Sequence, residues 1–252
     1  ADFMTVKDIF DFLNEKFPTD TACDFDNVGI LTGDPAARVT GAVIALDCTP
    51  SAVEKAVKNG CNLIITHHPV IFGGIKNVLA GSPVFTLLNR GISVISMHTN
   101  MDVGAGGVND SLCAALGLLN VQKTAAEDGF VLNKGELPAA FAPPELDAYI
   151  GERLGGRVRF NKGGKKIKNV LVCSGSGGNY LYEVKKCGCE ALITADVKHN
   201  IFIDAEYLGI TVLDGGHFET ENTVILPLKK LLSEKFSDIR FTADTSGVIQ
   251  TI

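Results

Sequence analysis

The chain has 252 residues, of which 46% are hydrophobic and 21% are charged, and its net charge is -6. This length and composition predict a globular protein with a sizeable core and argue against intrinsic disorder. The acidic charge disfavours broad electrostatic binding to nucleic acid or to anionic membranes. Because no apolar run has membrane-spanning length and no signal peptide is recognised, we expect a cytoplasmic protein.

The first predicted element is a helix that begins after Thr5, with Asp8 in the position that completes a capping box. Short runs that are apolar on both faces follow, which is typical of strands in a parallel sheet covered by helices. The first half of the chain is predicted to contain strands at 41–46, 62–66 and 92–97 and helices near 50–59, 82–90 and 108–116.

The second half repeats this plan. Strands are predicted at 169–173, 190–194 and 210–213, and the pairs GCNLIIT/GCEALIT and GISVIS/GITVLD resemble each other. The proline-containing region between the halves, which ends in a basic stretch, is interpreted as a crossover or insertion with a solvated hairpin. The predicted division is therefore a first α/β unit at 4–118, a crossover segment at 119–166 and a second α/β unit at 167–252.

These patterns predict an α/β fold of two related units with mainly parallel sheets covered by helices. Ligands of parallel sheets bind beyond the carboxyl ends of the strands, and the polar residues of both halves fall at those ends. We therefore expect a functional site between the two units, at the carboxyl ends of their strands.

Two adjacent histidines, His67 and His68, follow the second strand in the motif ITHHP. Neighbouring side chains of a regular strand point to opposite faces, so both histidines serve one site only if the chain bends there. Pro69 favours such a bend, because it removes a backbone donor and restricts the preceding residue. Two buried imidazoles without partners are costly, which favours metal binding over two core or capping histidines.

The motif HTNMD places His98 and Asp102 directly after the third strand. A carboxylate offers hard oxygen ligands and can bridge two cations, so Asp102 is interpreted as a metal ligand, with the capping of a turn as the alternative. His98 is interpreted as a group that orients a ligand or moves protons, and direct ligation is the third option.

The motif GGHFETE places His217 and Glu221 four residues apart, on one face of a helix. The preceding glycines permit close backbone approach. A helix N-terminus also favours glutamates through its dipole, but this explains only the carboxylates and not the histidine.

Three imidazoles and two carboxylates are more than one structural zinc uses, and they fit two divalent ions lying side by side. Zinc, iron(II), manganese and cobalt all suit this donor set. The predicted cofactors are thus two divalent ions per chain. The metal ligands predicted from the residues are His67, His68, Asp102, His217 and Glu221.

Three further groups near the strand ends are predicted to take part in catalysis: His98, and Asp196 and His199 from the motif ITADVKHN. For the last two, helix capping is a nearly equal alternative. Asp26 and Asn27 lie in a turn-like polar stretch that can line the same pocket. The run SGSGG at 174–178 is a weak candidate for an anion cradle, since it lacks the phosphate-binding lysine.

Four motifs in order, FDNVGI, ITHHPVIF, HTNMD and DGGHFETE, resemble the NIF-three-like family, whose members are often labelled GTP cyclohydrolase I type 2 homologs. The resemblance covers essentially the whole chain. It implies a dinuclear-metal α/β protein that assembles as a ring-shaped homohexamer, and it implies the same five ligands, with Glu221 bridging the metals. Many members have tryptophan where this chain has Phe25, a change we expect to affect packing rather than chemistry. The inserted domain of some members does not fit within this chain.

Two functions follow as hypotheses. The first is a metal-dependent hydrolase that acts through metal-bound hydroxide on a nucleotide or a related phosphorylated or cyclic amide substrate. The second is a non-enzymatic metal-binding protein with a regulatory or scaffold role. The residues themselves name no purine-specific contact, so the substrate stays open.

Overall fold

The structure, a computed structural model, describes residues 3–249. These residues form two compact units. One unit comprises the described residues up to Gly107 together with those from Ile225 onward, and the other runs from Val108 to Val224.

Each unit has its own sheet. The strands of the described residues are, in chain order, β1 Gly29–Thr32, β2 Ala42–Ala45, β3 Leu63–Thr66, β4 Ser93–Ser96, β5 Leu119–Ala125, β6 Val131–Phe141, β7 Arg159–Phe160, β8 Ile167–Val172, β9 Ala191–Thr194, β10 Thr211–Asp214 and β11 Phe241–Asp244.

Helices cover these strands, and the described residues also contain short 3-10 turns at Thr19–Thr21, Gly178–Tyr182 and Asn222–Val224. The α-helices are α1 Val6–Lys16, α2 Pro50–Lys58, α3 Pro83–Asn89, α4 Thr99–Val103, α5 Val108–Ala115, α6 Pro143–Leu154, α7 Glu183–Lys186, α8 His199–Leu208, α9 His217–Glu221 and α10 Ile225–Lys235. None of the helices in this part of the chain is both long enough and apolar enough to cross a bilayer.

The predicted start of α1 is confirmed. The Thr5 hydroxyl accepts a hydrogen bond from the Asp8 amide at 3.2 Å, and the Asp8 carboxylate accepts one from the Thr5 amide at 2.7 Å. Such a cap contributes about 1 kcal/mol to helix stability. The apolar stripe that follows it is buried, with Val6, Ile9 and Leu13 inaccessible to solvent.

The sheet of the first unit has the order β1-β4-β3-β2-β11. Its inner strands are parallel, as predicted, and every residue of β2, β3 and β4 is buried. The edge strand β1 runs antiparallel to β4. Because β2, β3 and β4 are parallel, their carboxyl ends lie at one edge of the sheet, and the polar motifs of the first half begin there.

The sheet of the second unit has the order β5-β6-β8-β9-β10-β7. Only β8, β9 and β10 are parallel, while β5, β6 and β7 join the sheet antiparallel. The two sheets are therefore mixed, and the prediction of mainly parallel sheets describes only their central strands. The parallel centre again places the residues that follow β8, β9 and β10 at one edge.

The structure divides the chain differently from the predicted 4–118, 119–166 and 167–252. The segment 119–166 supplies β5, β6, α6 and β7 and is part of the second sheet and its cover. The predicted basic hairpin does not form, because β7 pairs with β10 whereas β8 pairs with β6 and β9. At the other end of the chain, β11 pairs with β2 and so returns to the first unit.

Candidate metal centre

His67 and His68 lie at a bend of the chain directly after β3. The Thr66 hydroxyl donates to the His68 carbonyl at 2.7 Å, and the His68 amide donates to the Leu46 carbonyl at 3.0 Å. These bonds fix the bend that the sequence required. As a result the two rings lie together, with centroids 5.0 Å apart, instead of on opposite faces of a strand.

Both rings are oriented through Nδ1. The Nδ1 of His67 is 2.9 Å from the Met97 carbonyl, and the Nδ1 of His68 is 2.7 Å from the Asp47 carboxylate. Carbonyl and carboxylate oxygens only accept, so Nδ1 is the donor in each pair. In the neutral ring the lone pair is then on Nε2, which is the arrangement of metal-binding histidines whose other nitrogen is held by protein.

His98 is held in the same way by Asp26, with an Nδ1 to oxygen distance of 2.9 Å. The other Asp26 oxygen accepts from the Thr99 amide at 3.0 Å and the Thr99 hydroxyl at 2.6 Å. Burial alone would raise the pKa of Asp26, but the hydrogen bonds from His98 and Thr99 outweigh it and hold this pKa well below its usual range. Asp26 therefore stays ionised, and its hydrogen bonds to His98 and Thr99 connect the loop that precedes β1 to the start of α4.

The three imidazoles converge. One ring nitrogen from each of His67, His68 and His98 lies within 4.8 Å of the other two. Asp102 of α4 is 8% exposed, and its Oδ1 is 3.6 Å from the Nε2 of His67. Imidazole nitrogen with carboxylate oxygen is the donor chemistry of zinc, iron(II), manganese and cobalt sites. The residues of this unit thus fit a divalent ion, and His98 joins them as a candidate ligand.

In the second unit, His217 and Glu221 lie on α9 as the sequence predicted. The Nε2 of His217 is 3.0 Å from the Glu221 carboxylate, and its Nδ1 is 2.7 Å from the Asp196 carboxylate. Hydrogen bonding to Glu221 raises the pKa of His217 to about 9, against the opposing effect of burial and with a further contribution from Asp196. Without a metal, the ring is therefore an imidazolium between two carboxylates.

Asp196 and His199 were predicted as acid or base groups. Asp196 follows β9 with a φ of +50°, a left-handed conformation that aspartate tolerates better than most residues. This turn directs its carboxylate to His217, so the structure gives it an orienting contact. His199 is the first residue of α8 and its side chain is exposed.

Gly175, in the run interpreted as an anion cradle, packs against the α9 pair. A Cβ at this position would lie 2.1 Å from the Oε1 of Glu221 and 3.3 Å from the Nε2 of His217, and the φ of Gly175 is +61°. Only glycine fits both the space and the conformation. The run therefore shapes the wall beside the two candidate ligands.

Asp214, the last residue of β10, supports the candidate site through hydrogen bonds and was not predicted from the sequence. Its side chain is nearly buried and accepts from the Val197 amide at 3.0 Å, from the Gly216 amide at 3.1 Å and from Arg159. It thereby joins the turn carrying Asp196 to the turn that precedes His217. The available signal was its place at the end of a buried strand. Asp47, after β2, carried the same signal.

Comparison with known proteins gives one family. The model of a family described as Duf34/NIF3 (NGG1p interacting factor 3) matches residues 4–250. A Clostridium acetobutylicum protein named GTP cyclohydrolase 1 type 2 homolog is 32% identical over 90% of this chain and 90% of its own. A Clostridium perfringens protein of the same name is 30% identical over 94% of this chain and 95% of its own.

Solved structures agree with this relationship. The crystal structure of a Staphylococcus aureus hypothetical protein has a TM-score of 0.93 and 29% sequence identity, with 100% of both chains covered. Reduced HcgD from Methanocaldococcus jannaschii has a TM-score of 0.81 and 26% identity over 95% of this chain and 97% of that one.

Proposed function

The chain belongs to the Duf34/NIF3 family, and from that premise we propose that it is a dinuclear metal-binding protein that acts as a metal-dependent hydrolase. The proposed ligands come from the bend after β3 and from two short helices, α4 and α9. They are His67, His68, Asp102, His217 and Glu221.

One observation carries this proposal. Each of the four histidines in the two clusters has its Nδ1 against a carbonyl or carboxylate oxygen, at distances from 2.7 to 2.9 Å. For His67, His68 and His98 this places the lone pair of the neutral ring on Nε2. The Nε2 of His217 instead faces a second carboxylate, that of Glu221, at 3.0 Å. Core or surface histidines have no reason to share one tautomer, whereas metal ligands do, since the outer hydrogen bond fixes the ring and increases its basicity.

Two divalent ions would lower the pKa of water and polarise a phosphoryl or carbonyl oxygen. Around them the chain supplies its own groups. His98 is held by an ionised carboxylate, Asp26, and this pair is suited to accept and return a proton. Asp196 keeps His217 oriented, and the exposed His199 is a second candidate for proton transfer.

For the substrate we propose a nucleotide or a related phosphorylated or cyclic amide compound. The relatives' name, GTP cyclohydrolase 1 type 2 homolog, supports a purine nucleotide within this class. The acidic net charge of -6 argues against a nucleic-acid polymer as substrate.

A regulatory or scaffold role is the second candidate, and the family's description as an interacting factor favours it. Assembly as a homohexamer in the cytoplasm belongs to both proposals. Sedimentation of the purified chain measures the assembly directly, and only a metal-dependent turnover separates the two roles.

The first test is elemental analysis of the wild type and of Glu221→Ala. We expect about two divalent ions per wild-type chain and loss of most metal in the variant with the fold kept, because the strands of both sheets do not depend on this carboxylate. Glu219→Ala is the matched control, since Glu219 lies on the same helix and is not a proposed ligand. Full metal occupancy in Glu221→Ala would contradict the ligand assignment.

The same wild-type sample is then screened for hydrolysis of GTP and of phosphodiesters with added manganese, zinc, iron(II) or cobalt. Metal-dependent turnover that disappears in Glu221→Ala supports the hydrolase. Bound metal without turnover on any substrate supports the regulatory role instead. Absence of metal after reconstitution would overturn both.

A further inference from the structure

Two phenylalanines beside the imidazole cluster of the first unit are strongly exposed. Phe25 precedes Asp26 and is 65% exposed, and Phe72 follows the HHP motif and is 56% exposed. Their ring centroids are 6.4 Å apart, with planes inclined by 39°. Two adjacent aromatic rings exposed to water are unfavourable, so a ligand that covers them gains free energy by removing their apolar surface from solvent.

The rings continue into the candidate metal centre. The centroid of Phe72 is 6.0 Å from that of His98, edge to face, and His98 is 5.0 Å from the buried His67. A row of four rings therefore leads from solvent to the imidazole cluster. The outer half of the row is apolar, and the inner half offers nitrogen atoms.

The two phenylalanines are held in place by their neighbours. The Asn27 side-chain amide donates to the Ile71 carbonyl at 2.6 Å, which ties together the loops that carry Phe25 and Phe72. Asp26, between Phe25 and Asn27, is bonded to His98 and Thr99. The pair is thus presented on fixed backbone, which lowers the entropy cost of binding.

We propose that Phe25 and Phe72 form an aromatic platform for a planar nitrogen heterocycle, such as a nucleobase, that stacks on these rings with its polar edge towards His98. An aliphatic group would cover the phenylalanines but would bring no polar atom to the imidazoles. A nitrogen heterocycle stacks on the phenylalanines and also offers polar atoms to the imidazoles. This inference rests on the proposed function, because it names the substrate class of the same site.

The test measures the binding of GMP and of ribose 5-phosphate to the full chain by calorimetry. The second probe keeps the phosphate and sugar and lacks the base. Stacking on an aromatic side chain contributes enough that its removal weakens binding by at least about fivefold. We expect Phe25→Ala/Phe72→Ala to weaken GMP by that factor and to leave ribose 5-phosphate unchanged. Phe25→Trp keeps GMP binding, because it retains a stacking surface.

Tyr207→Ala is the control and should leave GMP affinity unchanged. Tyr207 is an aromatic residue of the second unit and is 90% exposed. Equal affinity for GMP and ribose 5-phosphate in the wild type, together with no base-dependent binding of AMP, CMP or UMP, overturns the platform. It is also overturned if the double variant keeps its GMP affinity. If that variant in addition sediments as a smaller species, the rings cover a second copy of the chain instead of a base.

Elemental analysis of the same samples separates this inference from the proposed function. Neither phenylalanine offers a metal ligand, so the double variant keeps its metal. Base-dependent binding by a chain that holds no metal would support the platform and contradict the hydrolase. Bound metal without base-dependent binding would overturn the platform and leave the proposed metal site intact.

Discussion

The two units hold their candidate ligands in different surroundings. In the first unit, ring nitrogens of His67, His68 and His98 converge on one another, and aspartates bind the outer nitrogens of two of them. In the second unit, the Nε2 of His217 faces a carboxylate of the same helix, and a proton is held between them. The first cluster is thus built to receive a cation among imidazoles, whereas the second must release a proton when a cation binds.

The largest effect is expected from a change that breaks the second cluster without touching a ligand. Gly175→Ala places a Cβ 2.1 Å from the Glu221 carboxylate, at a φ that alanine adopts only with strain. We expect metal affinity to fall about tenfold to a hundredfold, as for other residues that support metal ligands. Titration against a competing chelator measures this change.

Gly178→Ala is the matched control for that variant. A Cβ at Gly178 makes only ordinary contacts, of which the shortest is 3.8 Å to Ile201. If both alanine variants bind metal as the wild type does, Gly175 does not shape the Glu221 position, and the second cluster adapts more freely than its geometry indicates.

The first cluster is tested through Asp26→Asn, whose effect we expect to be smaller. The Asp26 side chain is fully buried and accepts from His98 and from the amide and hydroxyl of Thr99. An amide turns one accepting position into a donor, so at least one buried donor is left without an acceptor. We expect a loss of about 1–3 kcal/mol in the free energy of unfolding. Urea denaturation of the protein, after a chelator has removed its metal, measures this loss.

The pH dependence of this loss follows from the lowered pKa of Asp26. Its folded pKa is below the ordinary value of 3.8, so its stabilising effect is fully present above that value. The effect is lost as the pH falls towards the folded pKa. The difference between wild type and variant therefore shrinks in acid. Asp24→Asn, at an exposed neighbouring position, is the control variant.

Much of the fold was predictable because its signals are local. The capping box of α1 is formed by two residues three apart. The strands β2, β3 and β4 are buried at every position and are apolar except at Thr66, Ser93 and Ser96. What escaped prediction depends on distant partners. The short strand β11 pairs with β2 from the far end of the chain, and β7 is two residues long and is defined only by β10.

The candidate site divides in the same way. Its proposed ligands could be named from the sequence, because imidazoles and carboxylates at strand ends are chemically conspicuous, and their assignment stays a prediction. The contact of Gly175 with Glu221 was not predictable, because a glycine's close approach exists only in the folded chain. The place of Asp47 after a buried strand was visible in the sequence, but its hydrogen bond to His68 was not. The orienting role of Asp196 depends on a backbone turn in which its φ is +50°, and the sequence ADVKHN does not predict this conformation.

The smallest expected effect concerns the proton of the second cluster, and it tests the comparison most directly. His217 has a folded pKa of about 9 against an ordinary value of 6.5, so the stability from its ion pairs is fully present below about pH 6.5 and is lost as the pH rises through about 9. In the chelated protein, Asp196→Asn should lower this pKa only in part, because Glu221 contributes more than Asp196. A nuclear magnetic resonance titration of the imidazole measures it, with Glu219→Gln as the control on the same helix. An unchanged His217 pKa in Asp196→Asn would mean that Asp196 orients nothing. If the His217 pKa falls further in Asp196→Asn than in Glu221→Gln, this assignment is reversed. Asp196, rather than Glu221, would then be the main hydrogen-bond partner of the imidazolium proton that a metal must displace.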